Sequence, residues 1–110
     1  MKMNLAGAGA LLPGALLLLS ALAAAPEAMA GDRRLEARSL AATCATCHGT
    51  NGHAEPGSPV LAGMPSAELI TQMRLFREGA RPSTIMGQIS RGYTPRQVEL
   101  IAEYFAAQKR

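Results

Sequence analysis

The chain has 110 residues and a formal net charge of +3, and 48% of its residues are hydrophobic although only 4% are aromatic and none is tryptophan. Most of the leucine and alanine runs lie in residues 1–30, which leaves residues 31–110 to fold into a domain. A domain of that size buries a smaller share of its surface than larger domains do, and small scaffolds usually need a covalent or metal staple. The length therefore excludes a multi-domain enzyme, a doubly wound sheet and a barrel.

Residues 1–30 have the pattern of a secretory signal peptide. Lys2 precedes a long uncharged, apolar stretch, and residues 28–30 read Ala-Met-Ala, a site with small residues at its first and third positions. A basic start, an apolar middle and an A-x-A end are the parts of a cleavable export signal. The alternative is an uncleaved membrane anchor, because the apolar stretch is just long enough to span a bilayer, but Pro13 weakens that helix. We expect an exported, periplasmic protein whose mature domain is 31–110.

Two amphipathic segments predict helices in the first part of this domain. The first runs from about Asp32, an acceptable N-cap, to Cys44. Residues 49–63 are rich in glycine and proline and predict a loop. The second helix begins after Pro65, carries an apolar stripe at helical spacing and ends at Gly79.

The end of the chain predicts one further long helix and a short one. Residues 83–90 favour a short helical turn. The last helix opens at Thr94 as N-cap, with Pro95 at its first position and Gln97 completing a capping box, and it ends near Gln108. No strand alternation of useful length and no internal repeat occurs. The fold class is therefore predicted to be all-α.

The chain's two cysteines lie in Cys44-Ala-Thr-Cys47-His48. An exported protein with two cysteines can form a disulfide. A thioredoxin-like redox pair has the same spacing but needs a βαβ fold, and the sequence shows no pattern that predicts one. A zinc site would collect both cysteines with His48 and His53, but structural zinc sites usually separate their ligand pairs by about a dozen residues or more.

The fourth interpretation of the motif is C-x-x-C-H as an attachment site for a c-type haem. Residues three apart on a helical turn share a face, so Cys44 and Cys47 can reach the two vinyl groups along one porphyrin edge. His48 then directs its imidazole under the ring towards the iron. Because an export signal delivers the chain to the compartment where haem is attached, we predict one covalently bound haem c.

A second axial ligand decides between electron transfer and binding of an external ligand. His53 is too close to His48 in the chain to reach the opposite face of the ring. Met73 falls on the apolar stripe of the second helix, and Met64 precedes a helix start, where it fits a hydrophobic staple. Met86 lies outside any long stripe and well downstream of His48, with enough chain between them for a helix and a return loop. We rank Met86 first as distal ligand, Met64 second and Met73 third.

The remaining sequence indicates no catalytic or nucleic-acid-binding function. The charges are spread along residues 31–110, without a basic run or interleaved aromatics, so nucleic acid binding has no support. There is no pair of carboxylates, no Ser/His/Asp set and no phosphate-binding loop that indicates catalysis. We expect an electron-transfer protein and not an enzyme. The alternatives are a haem protein that binds or senses a ligand, with Met86 absent from the iron, and a zinc or disulfide module.

The motif near the start of the domain, a methionine late in the chain and the final helix resemble the class I cytochromes c. A more specific likeness, to the monohaem cytochrome subunit of flavocytochrome c sulfide dehydrogenase, runs through residues 44–108. The segments that carry it are Cys-Ala-Thr-Cys-His-Gly-Thr-Asn-Gly at 44–52, Leu-Ala-Gly at 61–63, Phe-Arg-Glu-Gly at 76–79, Arg-Pro-Ser-Thr-Ile-Met-Gly at 81–87, Gly-Tyr-Thr at 92–94 and Ala-Glu-Tyr-Phe at 102–105. The resemblance implies a small class I cytochrome c fold, with three to four helices around one covalently attached haem.

The same resemblance implies which residues form the site. Cys44 and Cys47 would hold the haem covalently. His48 would be the proximal ligand of the iron and Met86 the distal ligand, in agreement with the ranking above.

The resemblance also implies a supporting residue and a partner. In such cytochromes a loop proline accepts a hydrogen bond from the imidazole and fixes its orientation. Pro56 is the nearer candidate and Pro59 the other. The family's partner is a flavoprotein that oxidises sulfide and passes electrons to the haem; a stand-alone carrier for another redox enzyme is the alternative. The haem would also staple the small core, so we expect the haem-free chain to be largely unfolded.

Overall fold

The computed structural model describes Gly9 and the backbone of residues 14–110, and it describes side chains for residues 26–110. The chain divides into two compact units, residues 1–30 and residues 31–110. The amino-terminal end of the predicted signal peptide lies outside the described residues, and its cleavage stays a prediction. Within the described part, no helix is both long enough and apolar enough to cross a membrane.

Five α-helices make up most of the described chain. Helix α1 spans Gly14–Ala42, α2 Ala45–His48, α3 Ser66–Glu78, α4 Met86–Arg91 and α5 Pro95–Ala106. A 3-10 turn at Thr50–Gly52 lies in the loop between α2 and α3. Residues 14–110 contain no strand, so the predicted all-α class is confirmed.

The first helix begins much earlier than the sequence predicts. Asp32 is the expected N-cap, but α1 already starts at Gly14 and passes through Asp32 without interruption, so this predicted start is wrong. The reason is that a capping residue marks a helix start only where the preceding residues do not themselves favour helix. Residues 21–30 are rich in alanine, which has the highest helix propensity. Pro26 lies inside α1, where it cannot donate a backbone hydrogen bond.

The other helices begin and end close to where their local signals predict. Gly79, with a left-handed φ of +73°, ends α3. Thr94 caps α5: its Oγ1 accepts from the Gln97 N–H at 3.2 Å, and the Gln97 Oε1 accepts from the Thr94 N–H at 2.9 Å. Helix α5 ends slightly before Gln108. Helix α4 matches the helical turn expected around 83–90.

The core of residues 31–110 lies mainly between α3 and α5. Leu69 and Met73 of α3 belong to the same buried cluster as Phe105 of α5, which is 1% exposed and is the largest fully buried side chain in the described residues. The other buried members are Ala41 of α1 and Val98, Ile101 and Ala102 of α5. The end of α1 therefore packs against the α3–α5 pair and is held beside it where the cysteine motif begins.

Two surface ion pairs also join α1 to α5. Arg33 binds Glu103 with an N···O distance of 2.6 Å, and this hydrogen bond, with the charge of Glu103, raises the pKa of Arg33. Arg96 binds Glu36 at 3.3 Å. All four side chains are close to half exposed or more, so these pairs orient α1 more than they stabilise the domain.

Candidate cofactor site

The residues of the C-x-x-C-H motif lie on one helical turn directly after α1. The Cys44 N–H donates to the Ala41 carbonyl at 3.1 Å, and the His48 N–H donates to the Cys44 carbonyl at 2.9 Å. The two thiols do not pair with each other. Burial raises the pKa of the Cys44 thiol, whereas Cys47 is exposed. The turn thus brings two sulfur atoms and one imidazole to the same cleft.

This cleft has a volume of about 920 Å³. Sites that bury a small molecule or cofactor have volumes of roughly 300–1,000 Å³ and mainly apolar walls. Helices α2, α3, α4 and α5 and the loop before α3 all contribute to it. Its apolar lining comprises Pro59, Leu61, Met64, Leu69, Met73, Phe76, Ile85, Met86, Ile89 and Ile101. A mainly apolar cleft with two thiols and one imidazole fits a large, mostly apolar group that is attached through sulfur.

Two isoleucines support that fit. Ile85 is 55% exposed and Ile89 is 37% exposed, and both line the cleft. A ring system seated there would remove their apolar surface from water, which is worth roughly 25 cal/mol for each Å². The residues present therefore fit a covalently held porphyrin.

The ring of His48 is oriented by the loop that precedes α3. His48 Nδ1 lies 2.8 Å from the carbonyl oxygen of Pro59, and a carbonyl only accepts, so Nδ1–H is the donor. The lone pair of Nε2 is then left for a metal, which is the arrangement that positions a ligating histidine. Of the two candidate prolines, the structure places Pro59 at the ring and not Pro56. The reason is the fold of the loop, where the Ser58 N–H donates to the Glu55 carbonyl at 3.2 Å and closes a turn that contains Pro56 and precedes Pro59.

All three candidate methionines line the cleft. Met73 is 9% exposed and belongs to the buried α3–α5 cluster, so its side chain already has a packing role. Met64 and Met86 are partly buried and pack against the edge of that cluster. Met86 is the first residue of α4, and the Gly87 N–H donates to Ser83 Oγ at 2.8 Å, which fixes the turn that carries it. Position in the cleft alone leaves both Met64 and Met86 as candidates.

His53 lies away from the cleft, in contact with the end of the chain. Its Nε2 is 2.8 Å from the Lys109 carbonyl and its Nδ1 is 3.2 Å from the Thr50 carbonyl. No group of three or more His, Cys, Asp or Glu residues in the described part gathers as it would around a metal ion. The zinc alternative, which needs His53 beside both cysteines, is therefore not supported.

One hydrogen bond at the cleft could not be found from the sequence. The hydroxyl oxygens of Tyr93 and Thr43 are 2.6 Å apart, and the Thr43 hydroxyl donates its hydrogen to the Leu40 carbonyl at 2.9 Å. Tyr93 is therefore the donor to Thr43. The Tyr93 carbonyl also accepts from Arg77 at 2.8 Å, so the residue connects the segment before the cysteines with α3. The sequence carries no local signal of this contact, because the two residues lie fifty positions apart.

An all-α domain with two thiols and an oriented imidazole on one turn, facing one apolar cleft, defines a protein that holds a cofactor covalently. Residues 36–108 match the family model for cytochrome c, which covers more than half of the chain. The protein belongs to the cytochrome c family, and its cofactor is one covalently bound haem c.

Several characterised proteins are similar to this chain. It is 41% identical over 66 residues to the cytochrome subunit of sulfide dehydrogenase from Chlorobaculum tepidum, a match that covers 60% of each chain. It is 38% identical over 71 residues to a thiosulfate dehydrogenase electron acceptor from Thiomonas intermedia, covering 63% of this chain and 33% of that protein. It is 36% identical over 87 residues to cytochrome c4 from Pseudomonas aeruginosa, covering 78% of this chain and 40% of that protein. In each case the match spans less than two thirds of the relative's own length.

Proposed function

We propose that the protein is a periplasmic electron-transfer cytochrome in which Cys44 and Cys47 hold the haem and His48 and Met86 ligate its iron. The bound haem supplies one-electron chemistry by cycling between Fe(II) and Fe(III). The observation that carries the proposal is that the His48 ring, with Nδ1–H bound to Pro59, shares one turn and one cleft with both thiols. The chain's own role is to orient the ligands, bury the ring and exclude water.

The two cysteines and His48 have separate roles in this proposal. The sulfur atoms of Cys44 and Cys47 fix the position of the ring by thioether bonds. The hydrogen bond to Pro59 keeps the His48 imidazole in one tautomer and one orientation, and it makes Nε2 a stronger donor to the metal. No step of catalysis is assigned to the chain, in agreement with its lack of a catalytic set in the sequence.

The choice of Met86 as distal ligand rests on elimination. His53 is bound to backbone carbonyls outside the cleft, and Met73 is part of the buried core. Met64 precedes α3 and its N–H donates to the Leu61 carbonyl, within the loop that also carries Pro59 on the proximal side. Met86 comes from α4, a separate element that contributes to the cleft but has no part in orienting His48. Ligation by a thioether would saturate the iron and favour electron transfer over ligand binding.

Substitution of the two methionines tests the ligand assignment. A ferric cytochrome with a sulfur ligand has a weak charge-transfer band near the red edge of the visible spectrum. We expect this band to vanish in the Met86→Leu holoprotein and to persist in the matched Met64→Leu variant. The opposite pattern would assign the distal site to Met64, and a band that survives both substitutions would contradict either assignment.

Covalent attachment and export have direct tests. After denaturing electrophoresis, a haem stain should remain with the full chain and be lost in the Cys44→Ser, Cys47→Ser double variant.

The intact mass of the exported protein should correspond to a chain that begins at Gly31. A mass that includes residues 1–30 would instead favour the uncleaved anchor.

The partner is proposed from the relatives. One of them is named a subunit of sulfide dehydrogenase and another a thiosulfate dehydrogenase electron acceptor, so we propose that this protein accepts electrons from an enzyme that oxidises a sulfur compound. A flavoprotein sulfide dehydrogenase is the first candidate for the partner. The alternative is that the protein is a stand-alone carrier for another redox enzyme, because a relative whose name mentions no enzyme, cytochrome c4, is also similar. Co-purification of a flavin-containing protein with the tagged cytochrome supports the first, and rapid reduction by a sulfur dehydrogenase without stable association supports the second.

A further inference from the structure

The positive charge of the domain is concentrated next to the cleft. Residues 74–96, from the middle of α3 to the start of α5, contain five arginines and one acid, whereas acids and bases nearly balance in the rest of residues 31–110. The one acid, Glu78, is bound to Arg74 at 2.8 Å. Arg96 is paired with Glu36 of α1, so the charges of Arg77, Arg81 and Arg91 are left without a carboxylate partner among the described residues. Such guanidinium groups attract anions.

A second, smaller pocket lies within this stretch. Its volume is about 390 Å³, and its lining includes Arg81 and Arg91 together with three polar side chains, Ser83, Thr84 and Gln88. No carboxylate lines it. The pocket shares Phe76, Arg81, Thr84 and Gln88 with the haem cleft, so the two sites adjoin each other.

Two of the side chains that line this pocket, Arg81 and Ser83, are held in place and still have hydrogens to donate. The guanidinium of Arg81 lies 4.9 Å from the centre of the Phe76 ring and donates to the neutral amide oxygen of Gln72, which positions the group without neutralising it. Ser83 Oγ accepts from the Gly87 N–H, so its own hydrogen is available to donate. Arg91 is in no ion pair within the described residues, which include every acid of the sequence.

We propose that this pocket binds a doubly charged tetrahedral oxyanion of sulfur or phosphorus. Two guanidinium groups supply two positive charges and forked donors that match such an anion, and the hydroxyls and the amide supply further hydrogen bonds. A halide would leave most of these donors unused. Binding in the pocket depends only on these side chains and goes beyond the electron-transfer function proposed above.

The position of the pocket beside the cleft has a consequence for the potential, and this part rests on the haem in that cleft. An anion there stabilises the oxidised form, which carries one more positive charge, so the oxidised protein binds the anion more tightly. Because the two equilibria are linked, an anion that prefers the oxidised protein lowers the reduction potential of the haem. A tenfold difference in affinity between the two forms corresponds to 59 mV for a one-electron couple.

Titration of the reduced holoprotein tests binding. Sulfate, thiosulfate and inorganic phosphate are added at constant ionic strength, with sodium chloride as the balancing salt, and amide resonances are followed by NMR. We expect saturable shifts at Ser83 and Gln88 and an affinity at least about tenfold lower in Arg91→Gln, which loses a charge-assisted contact. Arg38→Gln, which removes an exposed arginine on α1, is the matched control and should bind normally. Equal shifts with chloride alone, or equal weakening in Arg38→Gln, would overturn the site.

Spectroelectrochemistry tests the coupling. The potential of the native holoprotein should fall with oxyanion concentration to a limiting value, while that of Arg91→Gln should change much less over the same range. Saturable binding without any change in potential would refute the coupling. A variant spectrum that keeps the native haem bands shows that Arg91→Gln acts through the pocket and not through loss of the haem site.

Discussion

Substitution of Gly52 is predicted to disrupt the site through the loop that orients His48. Gly52 has a φ of +83°, and its carbonyl accepts from the N–H groups of Leu61 at 2.9 Å and Ala62 at 3.2 Å. A Cβ at this position would lie 2.7 Å from the Ala62 nitrogen and 2.9 Å from Phe105 Cδ1. The first of these neighbours is backbone and the second is a fully buried ring, so neither can move cheaply.

The size of the effect follows from two separate contributions. A left-handed conformation costs a residue with a Cβ about 1–2 kcal/mol. Overpacking against a fixed backbone and a buried ring adds roughly 1–3 kcal/mol. Gly79→Ala is the matched control, because Gly79 has a similar φ of +73° but no atom within 4 Å of the added Cβ. The expected loss of unfolding free energy is therefore about 2–5 kcal/mol for Gly52→Ala and about 1–2 kcal/mol for Gly79→Ala.

Denaturant unfolding of the two holoprotein variants, followed by circular dichroism, measures this difference. The haem spectrum provides a second measurement, because displacement of the loop at Gly52 also moves Pro59 away from His48, whereas Gly79→Ala leaves that hydrogen bond intact. If Gly52→Ala is no less stable than Gly79→Ala, the loop does not approach Phe105 as closely as the structure shows.

Two further substitutions have expected outcomes. Tyr93→Phe removes the hydrogen bond to Thr43 and should lower the unfolding free energy by about 0.5–1.5 kcal/mol. Thr43→Val removes this bond and also the one to the Leu40 carbonyl, so the double variant should lose less than the sum of the two single losses, with a coupling energy of about 0.5–1.5 kcal/mol in a double-mutant cycle. A coupling energy of zero would show that the two hydroxyls do not interact. The Cys44→Ser, Cys47→Ser chain, which cannot hold haem covalently, should lack a cooperative thermal transition by circular dichroism. A sharp transition in that chain would show that the haem is not needed as a staple.

The features that the sequence predicted correctly depend on short-range signals. The capping box of Thr94 and Gln97 and the left-handed glycine at position 79 determine their helix ends locally, and the structure confirms both. The C-x-x-C-H motif likewise fits within one turn. The prediction that α1 starts at Asp32 was wrong, because the helix propensity of the preceding residues outweighed the capping signal of Asp32.

The features that the sequence could not predict depend on long-range contacts. Pro59 replaces Pro56 beside His48 because of a turn within the loop, which the count of residues from the motif does not reveal. The Tyr93–Thr43 hydrogen bond joins residues on different elements. The ranking of Met64 and Met86 depends on which face of the ring each reaches, and neither their spacing nor the cleft lining determines that.

The distribution of the core explains how the haem and the chain depend on each other. The buried cluster is made almost entirely by α3 and α5, with Ala41 as the contribution of α1. Helix α4 and the loop before α3 contribute side chains to the cleft that are only partly buried, among them Leu61 and Met86. Those segments include the proposed distal ligand and the carbonyl that orients His48. A haem in the cleft would cover apolar side chains of both segments, so the same group that transfers the electron also helps to order the residues that hold it. Loss of haem should therefore release the loop before α3 first, because α4 keeps its packing against α3.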